Sequence, residues 1–156
     1  MRIVPFLIAG GLAGLMSVAP AFAADHQVQM LNKDSEGRAM QFEPAFLKIA
    51  PGDTVTFVPT SKGHNSESIL TLTPEGAEPW KGKINQEITV TFDAEGFYAY
   101  KCLPHLGLGM VGVIQVGDAP TALDEAEVEK LPQRAEDRLI ELIAAAAGDA
   151  GATAAQ

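Results

Sequence analysis

Two chemistries overlap in the twelve residues Lys101–Gly112, KCLPHLGLGMVG. Cys102, His105 and Met110 set a thiol, an imidazole and a thioether at Cys-x2-His-x4-Met spacing. Soft and borderline donors of this kind favour copper over magnesium, calcium or manganese. Gly107, Gly109 and Gly112 also spell G-x-G-x-x-G, the fingerprint of a dinucleotide-binding turn. That fingerprint works only with a strand before it, a helix after it to receive the pyrophosphate, and an acidic residue about twenty positions on. The run after Met110, Val111–Val116, is strand-like, so no helix N-terminus receives a phosphate. Glu129 lies near the required distance, but in a stretch where acidic residues are everywhere. The glycines are read as turn-makers between two strands.

A metal held by this loop needs a fourth donor, and the chain has three histidines, His26, His64 and His105. His26 stands near the expected mature N-terminus and is expected to be exposed. His64 falls in the turn Lys62-Gly63-His64-Asn65, from which it can point inward out of an adjacent loop. The expected set is His64, Cys102 and His105 in a plane, with Met110 as a weak axial ligand. Each residue alone has a plainer reading: Met110 as a core methionine before Val111 and Val113, His64 as a turn residue. Cys102 and His105 as nucleophile and base would lack an orienting third group and an oxyanion arrangement, and would leave Met110 without a role. Zinc is disfavoured because a thioether serves it poorly.

The elements that must position these residues are short strands. His26–Leu31, Thr54–Val58, Glu87–Phe92, Phe97–Tyr100 and Val111–Val116 carry β-branched and aromatic residues at a period near two, which suits a half-buried antiparallel sheet. Pro51-Gly52-Asp53, Pro74-Glu75-Gly76 and Glu95-Gly96 read as turns. The pattern predicts a mainly β two-sheet sandwich over residues 24–117. From residue 118 to 148 the period changes. Ala135, Leu139, Leu142, Ile143 and Ala146 share one helical face, with Pro132 at the start and Gly148 at the end. A shorter helix over Ala122–Lys130, capped by Thr121, precedes it. Residues 149–156 are expected to be frayed.

Residues 1–23 read as a secretory signal peptide, with a basic Arg2, an apolar run over Ile3–Val18 and the A-x-A site Ala21-Phe22-Ala23; cleavage after Ala23 leaves residues 24–156 as one domain. A retained membrane anchor is the less favoured alternative, because the apolar core is short and no stop-transfer flank follows. The formal net charge is −9, which argues against nucleic acid or an anionic membrane as partner. Much of that charge lies beyond Asp118. The single cysteine, Cys102, forms no internal disulfide, so a thiol exported to an oxidising compartment needs burial or a metal bond to protect it.

Six short stretches then carry a resemblance: Met30-Leu31-Asn32-Lys33, Phe42-Glu43-Pro44, Pro51-Gly52-Asp53-Thr54-Val55-Thr56-Phe57, Lys62-Gly63-His64-Asn65, Pro74-Glu75-Gly76-Ala77 and Lys101-Cys102-x-Pro104-His105. With them the chain resembles the small blue-copper proteins, the cupredoxins, and most closely their pseudoazurin group. The gaps of two and four residues between cysteine, histidine and methionine, and the helical tail, are marks of that group. The resemblance implies a Greek-key β-sandwich of about eight strands with two C-terminal α-helices. It implies a monomeric periplasmic single-electron carrier that is not an enzyme, with one copper ion on His64, Cys102, His105 and Met110. The implied partners are a nitrite reductase, a c-type cytochrome or another enzyme of denitrification, with no membrane insertion after cleavage; copper storage or delivery is the alternative. Asn65 resembles an amide that ties the two ligand loops together, and Met40 a methionine whose thioether lies near the ring of the second histidine. Leu103 and Leu106-Gly107-Leu108 depart from the group, where a threonine, and an aromatic followed by alanines, often stand. Lys33, Lys62, Lys81, Lys83 and Lys101 are expected to form a basic rim around an apolar patch of Pro104, Leu106 and Leu108.

Overall fold

The computed structural model describes residues 23–120 and 123–153, without the side chains of residues 148–153. The expected signal peptide therefore lies outside the described residues except for Ala23, as do Thr121 and Ala122. Eight strands form: β1 (Asp25–Lys33), β2 (Ala39–Glu43), β3 (Phe46–Ile49), β4 (Asp53–Val58), β5 (Glu67–Ser68), β6 (Ile88–Phe92), β7 (Gly96–Lys101) and β8 (Val111–Val116). They pack as two four-stranded sheets, ordered β2-β1-β4-β6 and β3-β8-β7-β5.

The alternation in β4 has a direct structural counterpart. Asp53, Val55 and Phe57 are buried while Thr54, Thr56 and Val58 are half-buried, and Thr56 meets Thr89 across the ladder to β6 at 2.8 Å. The inner faces enclose Phe42, Phe57, Trp80, Phe92, Tyr98 and Tyr100. Phe42 meets Tyr100 edge-on at 4.7 Å between ring centroids, a geometry worth about 1 kcal/mol beyond the area it buries.

Three strands lack the expected signature. β2 begins beside Met40, whose φ is +53°; β5 has two residues; β3, Phe-Leu-Lys-Ile, does not alternate. The pairing is also less uniform than a purely antiparallel reading, because β1 runs parallel to β4 and β3 parallel to β8.

All six residues of β8 are buried, because both of its faces are covered. Ile114 and Val116 join the inter-sheet core. Val111 and Val113 pack with Ala135, Leu139, Leu142 and Ala146 of the second helix, where each buried leucine contributes about 2 kcal/mol. That helix, α2, spans Gln133–Thr153, so it continues through Gly148 into the expected frayed end, of which residues 154–156 lie outside the described residues. Helix α1 is only Glu125–Val128, and its cap is Asp124, whose carboxylate accepts from the Ala126 N–H at 3.0 Å. A carboxylate three residues nearer the helix therefore does the work expected of Thr121. Among the described residues no helix is long and apolar enough to cross a membrane.

Candidate metal centre

β7 and β8 are antiparallel neighbours, and their last pair is Lys101 with Val111. The ladder continues one step, since the Cys102 N–H donates to the Met110 carbonyl at 3.0 Å. Cys102 and Met110 are thus opposed at the mouth of a nine-residue loop, and both are fully buried. Between them Leu103–Leu108 winds as a 3-10 segment with Pro104 in its first turn. The Met110 N–H returns to the His105 carbonyl at 3.2 Å.

Two glycines of the G-x-G-x-x-G string matter, for packing as well as turning. Gly109 closes the 3-10 segment at φ +87°, and a Cβ there would lie 2.9 Å from the Arg134 carbonyl oxygen, so α2 buttresses the loop directly. Gly112 is no turn-maker. It lies inside β8 and leaves space for the Tyr100 ring, which a Cβ would meet at 2.3 Å.

His64 enters from the turn between β4 and β5. Its Nδ1 lies 3.6 Å from the Cys102 Sγ and 3.1 Å from the His105 Nδ1, and the His105 Nδ1 lies 3.4 Å from the same sulfur. A triangle with these sides has its circumcentre about 2 Å from each corner, the length of a metal–nitrogen bond and slightly under a metal–thiolate bond. The donors therefore fit one ion between them. A thiolate with two imidazoles, and a thioether buried on the same loop, is a copper set.

The tautomer of His64 is fixed from behind. Its Nε2 lies 2.8 Å from the Asn32 Oδ1 on β1. An amide oxygen can only accept, so Nε2 carries the proton and the Nδ1 lone pair faces the centre. Burial, and then the neighbouring His105, push the His64 pKa down, which also leaves Nδ1 free to bind. Burial pushes the Cys102 thiol up, against backbone N–H groups of Asn65 and His105 that favour its thiolate. A bound cation would reverse the effect of burial.

Asn65 joins the two ligand segments. Its Oδ1 accepts from the Leu103 N–H at 2.8 Å, and its Nδ2 donates to the Gly82 carbonyl at 3.1 Å and to Glu67 at 3.3 Å. Asn85, which no sequence pattern singled out, clasps the His64 turn: its Oδ1 accepts from the Gly63 N–H at 2.6 Å and its N–H donates to the His64 carbonyl at 2.9 Å. Asn32 likewise carries no such signal in the sequence. Its partner lies 32 positions away, and no periodicity carries such a pairing. Met40 packs against the buried cluster that contains Cys102 and Met110.

The expected rim and patch divide. Lys33, Lys62, Lys81 and Lys83 are exposed. Lys101 is not a free rim charge: it is half-buried and pairs with the buried Glu67 at 3.4 Å. Pro104 is exposed and Leu108 is 49% exposed, whereas Leu106 turns back against the cluster under α2. Leu103, left out of the expected patch, is 51% exposed on the same loop. His26 is half-buried, not exposed, and its Nε2 lies 2.9 Å from the Asp53 carboxylate.

Comparison with known proteins bears on the same residues. A model of copper binding proteins of the plastocyanin/azurin family matches residues 28–117. The pseudoazurin of Paracoccus pantotrophus is 52% identical over 133 residues, covering 85% of this chain and 91% of that protein. The crystal structure of pseudoazurin from Methylobacterium extorquens AM1 superposes with a TM-score of 0.68 at 41% identity, covering 77% of this chain and 97% of that one. Native pseudoazurin from Hyphomicrobium denitrificans gives a TM-score of 0.69 at 43% identity, with 77% and 96% covered. A copper donor set at the mouth of a two-sheet sandwich and these likenesses agree, and the chain belongs to the plastocyanin/azurin family of copper-binding proteins, in its pseudoazurin group.

Proposed function

We propose that His64, Cys102, His105 and Met110 hold the copper ion of this family, and that the chain is a monomeric single-electron carrier of the periplasm. It reaches that compartment after cleavage behind Ala23. It passes electrons to a nitrite reductase, a c-type cytochrome or a related enzyme of denitrification. The observation that carries this reading is the triangle of His64 Nδ1, Cys102 Sγ and His105 Nδ1, which leaves room for one ion at bonding distance from all three.

Copper bound there would supply one-electron exchange between its two oxidation states. The chain's part is to hold the donors still. Asn32 fixes the His64 ring, Asn65 ties the His64 turn to Leu103, and α2 backs the loop at Gly109. Donors that need not move between oxidation states keep reorganisation small. Met40, packed on the same cluster, is assigned a supporting role toward the His105 ring. His105 is the half-buried member of the set, and Leu103, Pro104 and Leu108 on its loop are exposed, so the electron leaves through that face. A small apolar face with lysines around it suits a brief encounter steered by charge.

Copper storage or delivery would need labile donors, and here the His64 ring is backed by the amide of Asn32 while that of Asn65 ties its turn to Leu103. The test is the absorption spectrum of the purified, oxidised, copper-loaded protein, followed by incubation with a copper chelator. An intense visible thiolate band that survives the chelator supports the carrier. A colourless protein sinks the copper assignment, and rapid loss of copper to the chelator favours delivery.

A further inference from the structure

At the end of the sandwich away from the ligand loop, one carboxylate meets three donors for which the copper site gives no reason. Asp53 is 5% exposed. Its Oδ2 accepts from the Ala50 N–H at 2.9 Å and meets the His26 Nε2 at 2.9 Å. The Ala50 bond belongs to the turn before β4. Its Oδ1, however, reaches across to β1 and takes the Ala24 N–H at 2.7 Å. Ala24 is held from its other side too, since its carbonyl accepts from the Thr54 N–H at 2.9 Å. The backbone nitrogen of Ala24 is the atom that cleavage behind Ala23 would turn into an α-amine.

We propose that Asp53 is a receptor for the α-ammonium group of Ala24, so that removal of residues 1–23 replaces a hydrogen bond from an uncharged amide with a part-buried ion pair that locks β1 to β4. This rests on the cleavage position given above. Peptide hydrolysis there frees an amine on Ala24 that takes up a proton from solvent, and a carboxylate on Ala23 that leaves with the removed segment. The receiving carboxylate is already in place, because the uncut chain uses it with one amide N–H. An ammonium adds a full positive charge to a donor that already faces the carboxylate, so a bond charged on one side becomes charged on both. Ala23 and Ala24 are both exposed, so nothing crowds the new group.

The other charges facing this site are His26, Asp25 on β1, Lys48, Glu95 and Asp118. Lys48 is engaged by Asp118 at 2.8 Å, and Glu95 lines the same surface hollow. With Lys48 so engaged, the carboxylates of Asp25, Asp53 and Glu95 leave the field around Ala24 negative, which further favours an ammonium.

The experiment exports the full-length chain, purifies the processed protein and reads its first residue by N-terminal sequencing. The α-amine is then titrated by competitive trace acetylation between pH 7 and 10. Pairing with Asp53 predicts labelling at pH 8 at least tenfold slower than for an amine with the ordinary pKa of about 7.7–8.0. In Asp53→Asn the rate should return to the ordinary value. Should that variant not fold, the wild-type protein acetylated only at its α-amine gives the second reading. Acetylation restores the neutral amide, so its thermal midpoint at pH 7 should fall below that of the unmodified protein. A first residue other than Ala24 overturns the cleavage position and this proposal together. A chain that starts at Ala24 but has an ordinary α-amine, or an unchanged midpoint after acetylation, overturns this proposal alone.

Discussion

The two ends of the sandwich handle buried polar groups in opposite ways. At the loop end, two imidazole nitrogens and a thiol sulfur are turned toward one another at 3.1–3.6 Å. Donors of this kind brought so close suit a single cation between them. At the far end, Asp53 meets donors on both oxygens without leaving the chain. The first arrangement is completed by something from outside, and the second is complete by itself. A group held for function is directed at a ligand, whereas a group held for stability is satisfied on folding.

The sharpest way to break this contrast is to remove the sulfur. Cys102→Ser should abolish the intense visible band outright, while the thermal midpoint of the metal-free protein changes little, because the buried volume is nearly kept; absorption and calorimetry read the two. A collapse of the metal-free fold would show that the loop end is as structural as the other.

Asn32→Ala tests the support behind His64. With Nε2 released, copper affinity should drop by about 10- to 100-fold, the usual cost of losing a partner behind a metal ligand, measured by competition with a chelator. An unchanged affinity would mean that burial alone orients the ring.

The far end should reveal itself in acid. The Ala24 N–H, then His26 and the Ala50 N–H, hold the Asp53 carboxyl down at about 2, against an ordinary 3.8. The folded state thus binds fewer protons than the unfolded state between these values. The stabilisation is complete above about pH 4 and is lost as pH falls toward about 2. Urea midpoints of the metal-free protein should decline across that window in wild type and flatten in Asp53→Asn.

Smallest of all is the expected effect of a rim charge. Lys62→Ala should slow electron delivery to an acidic partner by no more than a few fold at low salt, and by less as salt rises, since exposed charges act on association and are screened. Stopped-flow rates at several ionic strengths measure it, and rates indifferent to salt would remove the lysines from docking.

The ligand loop was legible because its chemistry is local: a thiol, an imidazole and a thioether within nine residues need only one turn between two alternating strands. The face of α2 was legible for the same reason, and Ala135, Leu139, Leu142 and Ala146 are buried on it. Ile143, assigned to that face, is only half-buried. The end of α2 was misplaced because Gly148 marks a preferred stop and not a necessary one; a single glycine costs a helix only about 1 kcal/mol. Lys101 was misjudged because its partner Glu67 lies on a neighbouring strand, and a sequence shows that a lysine is charged but not whom it meets.

What the sequence determined by itself was the donor chemistry and the spacing of three of its four members, together with the alternation that makes strands on either side. The tertiary structure alone decided that His64 arrives at the sulfur, which face of its ring points inward, and which amides hold it. It also decided that β1 and β4 run side by side, so that Asp53 reaches Ala24. Short-range pattern follows from the geometry of one element, but a hydrogen bond between residues about thirty positions apart exists only once strands have paired and their register has been set.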